Sequence, residues 1–382
     1  MSDAKVAKPV REMNLIEKNV FGVKIDQVPK LIPGLVVASL IAWLSTWLSE
    51  FLGVEVLKFD KSPISAVMMA IVLGLIIGNI LRLPTWLKPG FTFAVKKVLR
   101  FGIILLGIRL SIFDVFKLGA YGVPIVLLCI LGALFFTTRL NKWLKLPERL
   151  GALIAVGTSI CGVSAIVATG PAIDAEDEEV AYAVAVITIF GIFATLVYPY
   201  LANVIFAGDP TRVGLFLGTS IHDTSQVTGA ALVFSQAFEL PKALDVATVT
   251  KLVRNVFMAA VIPFMAFYYA SRTNSGEEGV GKKTNIAKLL PQFVIGFLIL
   301  AVIRSLGDAL WAGQAWTDVV GFTKTWAVNL LVVALAGVGL TTSFKILKGL
   351  GIKPFIVGLG AALIVGLVSF VAISLLGTFV TL

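Results

Sequence analysis

The sequence predicts an all-α, polytopic membrane protein. Hydrophobic residues make up 58% of the 382 residues and charged residues only 14%, whereas soluble globular chains carry roughly 25% charged residues. The mean hydropathy is +0.96. Apolar stretches of about 20 residues, the length that an α-helix needs to cross the hydrocarbon core, recur along the chain. We therefore expect a single transmembrane domain over residues 31–382, preceded by a basic, cytoplasmic N-terminal segment over residues 1–30.

The apolar stretches predict about eleven transmembrane helices. Most of the 32 lysines and arginines fall in alternate loops, and basic loops are typically cytoplasmic. This alternation predicts a cytoplasmic N-terminus and, after an odd number of spans, a C-terminus on the outer side. The predicted spans cover residues 33–52, 62–81, 91–113, 119–138, 150–171, 180–206, 213–234, 243–270, 290–306, 325–344 and 354–378.

Composition also limits the cofactors and partners. The net charge of +10 could suggest a nucleic-acid partner, but the basic residues cluster in short loops and no nucleic-acid-binding motif accompanies them. Cys129 and Cys161 both lie in apolar segments and are too few for a disulfide framework or a metal site. We expect the lipid bilayer as a partner, and no nucleic acid, metal or cofactor.

Two polar stretches interrupt apolar segments. Residues 218–226 read Gly-Thr-Ser-Ile-His-Asp-Thr-Ser-Gln and include the only histidine of the chain; residues 157–162 read Gly-Thr-Ser-Ile-Cys-Gly. Ionisable groups at membrane depth are costly and usually mark a substrate or ion path. Paired, glycine-interrupted helices indicate a transporter binding site. The sequence thus predicts two discontinuous helices whose breaks meet near the middle of the bilayer.

The interrupted stretches supply the first candidate binding residues. A half-helix that starts inside the membrane exposes backbone N–H groups, which bind anions. The alternative is close helix packing through small residues. The candidate substrate-binding residues of the two stretches are Thr158, Ser159, Cys161, Gly162, Ser164, Ser220, Thr224, Ser225 and Gln226.

His222 and Asp223 are candidates for coupling or gating. Adjacent residues point about 100° apart on a helix, so only a local break lets both side chains reach one cavity. Either group could carry a coupling proton. In the alternative interpretation, Asp223 caps the second half-helix and His222 is a neutral, hydrogen-bonded side chain.

Lys251 and Arg254 complete the candidate substrate-binding set. They share a helix face because they lie three residues apart, and Asn255 is beside them. A pair of cations suits a divalent oxyanion. The alternative is snorkelling of the two side chains toward the outer interface.

Charged residues elsewhere suggest structural roles. Arg304 and Asp308 lie four residues apart and predict an interfacial ion pair, and Arg109 is a weaker binding candidate near a span end. The acidic run over residues 174–179 lies in a predicted outer loop and predicts a cap at the start of the next helix, with a functional vestibule as the alternative.

The sequence also contains two internal resemblances. The residues Gly107, Leu110, Gly119 and Pro124 recur at one constant spacing as Gly337, Leu340, Gly349 and Pro354. The two copies lie an odd number of spans apart, which predicts an inverted repeat, the usual construction of secondary transporters. The two Gly-Thr-Ser-Ile stretches lie an even number of spans apart and would run parallel as simple helices. The two relations do not fit one repeat scheme. The alternatives are that one of them is a coincidence or that one of the segments is a re-entrant hairpin.

Several motifs together resemble the YeiH-like family of proposed sulfate exporters. They are Ser-Ile-Cys-Gly-Val-Ser-Ala-Ile at 159–166, Glu-Glu-Val-Ala-Tyr-Ala at 178–183, Tyr198-Pro199, Ser-Ile-His-Asp at 220–223 followed by Gln226-Val227, and the pair Lys251 and Arg254. The resemblance covers most of the chain from Pro63 onward. It implies a bacterial inner-membrane protein of ten or eleven spans.

The combined expectation is a secondary transporter of a small inorganic or organosulfur anion, with sulfate as the leading candidate. We expect alternating access around the two breaks, with proton coupling as an option, and no enzymatic activity. The alternatives are a cation-coupled transporter of a carboxylate or other organic anion, a passive anion channel, and an intramembrane enzyme that uses Cys161 or Ser220 with His222. The oligomeric state is open, and a homodimer is among the alternatives.

Overall fold

The computed structural model describes residues 14, 17, 22–60, 62–270, 291–311, 313–344, 352–377 and 380, and these residues form helices and connecting loops without a β-strand. Most of the predicted N-terminal segment therefore lies outside the described residues. The α-helices are α1 Ile32–Glu50, α2 Ala66–Ile80, α3 Lys88–Phe93, α4 Leu99–Leu106, α5 Ile112–Trp143, α6 Glu148–Ser159, α7 Val163–Thr169, α8 Asp177–Ile205, α9 Pro210–Ser220, α10 Thr224–Ala237, α11 Lys242–Val256, α12 Met258–Ala270, α13 Gln292–Leu310, α14 Gln314–Thr341 and α15 Ile352–Leu376.

Seven helical segments among the described residues are long and apolar enough to cross a membrane. Large apolar side chains such as Trp43, Phe113 and Leu363 point outward, with 68%, 76% and 61% of their surface exposed. Extended apolar surfaces of this kind mark contact with lipid. The all-α, multi-pass architecture is therefore confirmed. The seven segments are Ile32–Val56, Ile112–Trp143, Asp177–Ile205, Lys242–Tyr269, Gln292–Leu310, Gln314–Thr341 and Ile352–Leu376.

The other four predicted spans are helical but short or interrupted. The span at 62–81 becomes α2, of 15 residues, and the span at 91–113 is divided by a π-helical turn at Ala94–Val98. The spans at 150–171 and 213–234 each divide into two α-helices, α6 with α7 and α9 with α10. The structure thus contains the two predicted discontinuous helices, whereas the count of eleven spans stays a prediction.

The inverted repeat is not confirmed by the helix boundaries. Pro124 lies in the interior of α5, whereas its counterpart Pro354 lies in the first turn of α15. Gly107 starts a 3-10 turn after α4, whereas Gly337 lies within α14. Gly349 falls outside the described residues. Equal sequence spacing therefore does not place these residues at equal positions in their helices.

The described helices pack as two groups. In the first group, α14 packs against α1, α2 and α4, and α13 packs against α4. In the second group, α15 packs against α5, α6, α8 and α9, while α11 packs against α5, α9 and α10. The groups meet where α10 packs against α2 and α14 and where α13 packs against α5. Both discontinuous helices belong to the second group, and α11 lies directly against one of them.

Charged residues at the helix ends mostly stabilise local structure. Arg304 Nε donates to Asp308 Oδ2 at 2.6 Å, so the predicted ion pair is confirmed. The acidic run forms a capping box between Glu176 and Glu179 at the start of α8, which confirms the predicted cap. Arg109, by contrast, pairs with a residue that the sequence did not indicate, Asp245 at the start of α11.

Candidate functional site

The first break lies between α6 and α7. The helix ends at Ser159 because Ile160 adopts φ −121° and ψ −99°. Gly162 then adopts φ +71° and ψ −125°, a combination that only glycine accepts without strain. The α-helix resumes at Val163 without a side-chain cap. The break therefore depends on the absence of a Cβ atom at Gly162.

The second break lies between α9 and α10 and contacts the first. Ile221 and Asp223 are extended, and α10 resumes at Thr224. A Cβ atom built on Gly162 would lie 3.2 Å from both the Cα and the Cβ atoms of Asp223. The two interrupted stretches thus come together, as the sequence predicted, and a side chain at position 162 would press on the second break.

Lys251 fills the junction of the two breaks. Its side chain is buried on α11. Its Nζ atom donates to the carbonyl oxygens of Ile160 at 2.7 Å and Ile221 at 3.1 Å, and also to the carbonyl of His222. An ammonium group has three N–H donors. All three are thus directed at backbone carbonyls, drawn from both breaks.

Arg254 makes the same kind of contact one turn further along α11. It is fully buried, and its Nε atom donates to the Ser159 carbonyl at 2.6 Å. The other guanidinium nitrogens donate to the carbonyls of Thr158, Thr219 and Ile221. The last carbonyls of a helix lack intrahelical partners and carry its negative dipole end. The two cations therefore satisfy the C-terminal ends of α6 and α9.

These contacts differ from those expected for Lys251 and Arg254. The sequence suggested that both would contact an anion directly, whereas most of their donors are taken by backbone oxygen atoms in this structure. They nevertheless reach the break rather than snorkel to an interface. Direct contact with an anion stays a prediction.

Asp223 caps α10. Its Oδ1 atom accepts hydrogen bonds from the Ser225 N–H at 2.8 Å and the Ser225 hydroxyl at 2.6 Å. In return, Gln226 Oε1 accepts from the Asp223 N–H at 3.1 Å, which completes a capping box. Gln226 also donates through Nε2 to the Thr188 carbonyl on α8. The structure thus contains the capping arrangement considered as an alternative for Asp223.

Unpaired polar atoms surround the junction. Both ring nitrogens of His222, the hydroxyl of Thr158 and the amide oxygen of Asn255 are buried, and none has a hydrogen-bond partner among the described residues. Buried polar groups normally have partners, so each exception needs an explanation such as a water or a ligand. The neutral, hydrogen-bonded His222 of the alternative interpretation stays a prediction. A water or ligand that reached the junction would find these atoms without a partner among the described residues.

The remaining predicted site residues fall into an inner and an outer set. The inner hydroxyls of Ser159 and Ser220 donate to carbonyls of their own helices, and Cys161 Sγ lies 3.6 Å from Met258 Sδ. In the outer set, Ser164 is exposed, and Asp223 and Thr224 are half-buried. These are the more accessible of the predicted site residues, and we refer to Ser164, Asp223 and Thr224 as the rim; Thr224 also accepts a hydrogen bond from Asn255.

Comparison with known proteins places this site in a family. Residues 33–358 match the family described as "Conserved hypothetical protein 698". The chain is 33% identical over 319 residues to a UPF0324 membrane protein of Bacillus cereus, covering 82% of this chain and 86% of the relative. It is 33% identical over 325 residues to one of Corynebacterium glutamicum, covering 84% and 86%. The chain belongs to the UPF0324 family of membrane proteins. A UPF0324 protein of Fusobacterium nucleatum is 30% identical over 321 residues, covering 82% and 91%.

Membership of the UPF0324 family agrees with the YeiH-like resemblance of the motifs. The matched region contains both breaks and all of α11. The resemblance is therefore confirmed at the level of the family, and the relatives are named as membrane proteins.

The UPF0324 site carries an excess of positive charge. Among the described residues, the ionisable side chains at the junction are Lys251, Arg254, His222, Asp223 and the thiol of Cys161, which is counted here as neutral. With the imidazole counted as neutral, two cations face one carboxylate. Unbalanced charge away from water is costly, and a bound anion would relieve that cost.

Sequence reasoning missed some residues that support the site. Thr219 and Ser369 share a hydrogen bond of 2.5 Å between their hydroxyls, which ties α9 to α15. Asn255 was noted only as a neighbour of Arg254, although it contacts Thr224 on α10. A lone serine in an apolar span is common in packed helices, so the sequence carried no signal for Ser369.

Proposed function

We propose that the protein is a secondary transporter of a small anion, most suitably sulfate or a related sulfur oxyanion. The observation that carries the proposal is the junction of two interrupted helices around two buried cations, one carboxylate and a set of unpaired polar atoms. Half-helix ends at membrane depth are the construction of transporter binding sites. A site with a positive excess selects an anion over a cation.

In the proposed mechanism, the anion enters at the rim formed by Ser164, Asp223 and Thr224. The N-terminal end of α10 supplies N–H donors and positive potential. Asp223 occupies those donors in this structure, so the anion competes with its carboxylate. Lys251 and Arg254 are buried behind this rim and attract the anion through their positive charges.

His222 and Asp223 are proposed to gate the site or to carry a coupling proton. Displacement of the carboxylate from the start of α10 releases Asp223 to interact with His222, whose nitrogens are unpaired. A change at this break alters how α9 and α10 join, which provides a physical route to alternating access.

The proposed orientation in a bacterial inner membrane has a cytoplasmic N-terminus and a periplasmic C-terminus. The start of α9 conflicts with the predicted alternation: a Cβ atom on Gly214 would lie 2.8 Å from the Ala243 carbonyl oxygen at the start of α11, although the alternation assigns these two helix ends to opposite sides. The re-entrant hairpin, considered as an alternative for the interrupted segments, removes this conflict.

Three other contacts agree with the alternation, because each joins helix ends that it assigns to one side. Ser65 at the start of α2 donates to Gln236 near the end of α10. Arg109 pairs with Asp245, and the Tyr269 hydroxyl donates to the Glu148 carbonyl.

The proposal is tested with purified protein in liposomes that contain sulfate. Uptake of radiolabelled sulfate against unlabelled internal sulfate should saturate and should require the internal anion. Thr224→Val removes a rim hydroxyl, and a lost hydrogen bond to a charged group should raise the sulfate KM about 10- to 100-fold. Thr228→Val is the matched control one turn further along α10, where the hydroxyl donates to the Thr224 carbonyl; it should leave the KM unchanged.

The alternatives give different results in the same assay. A passive channel would show flux that neither saturates nor needs internal sulfate. A carboxylate transporter would take up succinate and ignore sulfate. An intramembrane enzyme that uses Cys161 would lose its function in Cys161→Ala, whereas the transporter should keep full uptake. Equal KM values for Thr224→Val and the wild type would show that the rim does not take part in sulfate binding.

A further inference from the structure

The carbonyl cluster at the junction has the character of a metal-cation site. Three carbonyl oxygens converge on Lys251 Nζ, and they come from Ile160 in the first break and from Ile221 and His222 in the second. These groups belong to the unwound ends of α6 and α9. In cation-coupled transporters, unwound carbonyls and half-helix C-terminal ends coordinate the coupling Na⁺.

An ammonium group can take the place of such an ion. It is a compact point charge, and its three donors match the three converging oxygens. The flexible side chain of Lys251 extends from α11, which packs against α9 and α10. Its ammonium group is attached to the chain and therefore does not exchange with solvent as a free ion does. Burial of Nζ and its use of all three donors leave the carbonyl cluster fully occupied.

We propose that Lys251 is a tethered substitute for a coupling sodium ion, and that the protein therefore transports its anion without sodium. This inference rests on the proposed transport function and specifies its coupling. A tethered cation cannot dissociate, so a sodium gradient cannot drive the cycle through this site. The fixed charge instead contributes to the positive excess that the anion balances.

Removal of the lysine side chain should expose the underlying cation site. Lys251→Ala leaves the carbonyls of Ile160 and His222 without the ammonium donor, whereas the Ile221 carbonyl keeps its hydrogen bond from Arg254, and buried unpaired carbonyls are costly. Sodium should then bind and restore stability. The melting temperature is measured for purified protein in sodium chloride and in choline chloride at equal ionic strength, with no oxyanion present.

We expect the wild type to melt at the same temperature in both salts. Lys251→Ala should melt at least about 3 °C higher in sodium chloride at saturating sodium, and methylammonium chloride should give a similar rise. Lys242→Ala is the matched control, because Lys242 is an exposed lysine on the same helix; it should respond like the wild type.

Three results would overturn the inference. They are a sodium-specific rise in the melting temperature of the wild type, a sodium requirement for sulfate uptake by the wild type, and a folded Lys251→Ala protein that does not distinguish sodium from choline. If Lys251→Ala can be purified only with sodium or methylammonium present, that dependence supports the inference. If it folds under no condition, the two wild-type measurements decide. The melting assay contains no oxyanion and is independent of sulfate. Absence of sulfate uptake in liposomes would therefore contradict the transport proposal without deciding whether Lys251 occupies a cation site.

Discussion

The two breaks begin with the same four residue types and end differently. Each α-helix before a break finishes within the sequence Gly-Thr-Ser-Ile, at 157–160 and at 218–221, and each directs its last carbonyls at Lys251 and Arg254. After the first break, α7 restarts from the backbone of Gly162 at positive φ. After the second, α10 restarts from the side chain of Asp223.

This difference separates a fixed break from a switchable one. The Gly162 conformation depends on sterics, which do not respond to pH or to a ligand. The Asp223 cap depends on a carboxylate, and its hydrogen bonds can be lost to protonation or to a competing anion. Under the proposed transport function, we expect the second break to change shape while the first keeps its shape.

Of the substitutions that test this difference between the breaks, Gly162→Ala should have the largest effect. The alanine would have to adopt a strained backbone conformation, and its Cβ atom would lie 3.2 Å from two atoms of Asp223. We expect a loss of about 3 kcal/mol or more in the free energy of unfolding. The measurement is the melting temperature of the purified variant, together with sulfate uptake.

Gly208→Ala is the control for backbone strain. Gly208 also has positive φ, +74°, but a Cβ atom there would lie no closer than 3.6 Å to the nearest side chain, that of Asn203. Its cost should be about 1 kcal/mol, with sulfate uptake retained. Equal losses in the two variants would show that the contact between the breaks contributes nothing.

An intermediate effect is expected from Asp223→Asn. Asparagine caps a helix about as well as aspartate, so the melting temperature should change little. Loss of the negative charge raises the positive excess at the junction, and the sulfate affinity should rise about tenfold. Isothermal titration with sulfate in detergent measures this change.

Asp209→Asn is the matched substitution at the start of α9, where Asp209 also caps a helix through the N–H groups of Thr211 and Arg212. Its sulfate affinity should equal that of the wild type. A weaker sulfate affinity in Asp223→Asn would contradict competition between the carboxylate and the anion.

Local patterns predicted the interrupted helices well. Glycine, hydroxyl and ionisable residues inside an apolar segment oppose a continuous helix wherever the segment lies in the fold, so both breaks could be placed from the sequence. The three-residue spacing of Lys251 and Arg254 likewise placed them on one face of α11. The family motifs lie in these same segments.

Non-local geometry could not be predicted in the same way. Which atoms Lys251 contacts depends on where two distant half-helices end, and the side-chain spacing on α11 carries no information about that. The repeat based on Pro124 and Pro354 is not confirmed for a related reason, because residue spacing does not determine where each helix begins. The pair between Arg109 and Asp245 joins residues far apart in sequence, which a single sequence does not connect.

The smallest effect is expected at the threonine that occupies the second position of each Gly-Thr-Ser-Ile stretch. The Thr158 hydroxyl is buried without a partner among the described residues, whereas the Thr219 hydroxyl bonds to Ser369 and to the Leu215 carbonyl. Thr219→Val should therefore cost about 1 kcal/mol in stability, since it leaves Ser369 unpaired, and should leave sulfate affinity unchanged. Thr158→Val should leave the melting temperature unchanged and weaken sulfate binding about threefold, because its hydroxyl is free to reach the anion directly or through a water. If Thr158→Val leaves the sulfate affinity unchanged, the anion lies nearer the second break than the first. The second break would then be responsible for binding as well as for switching.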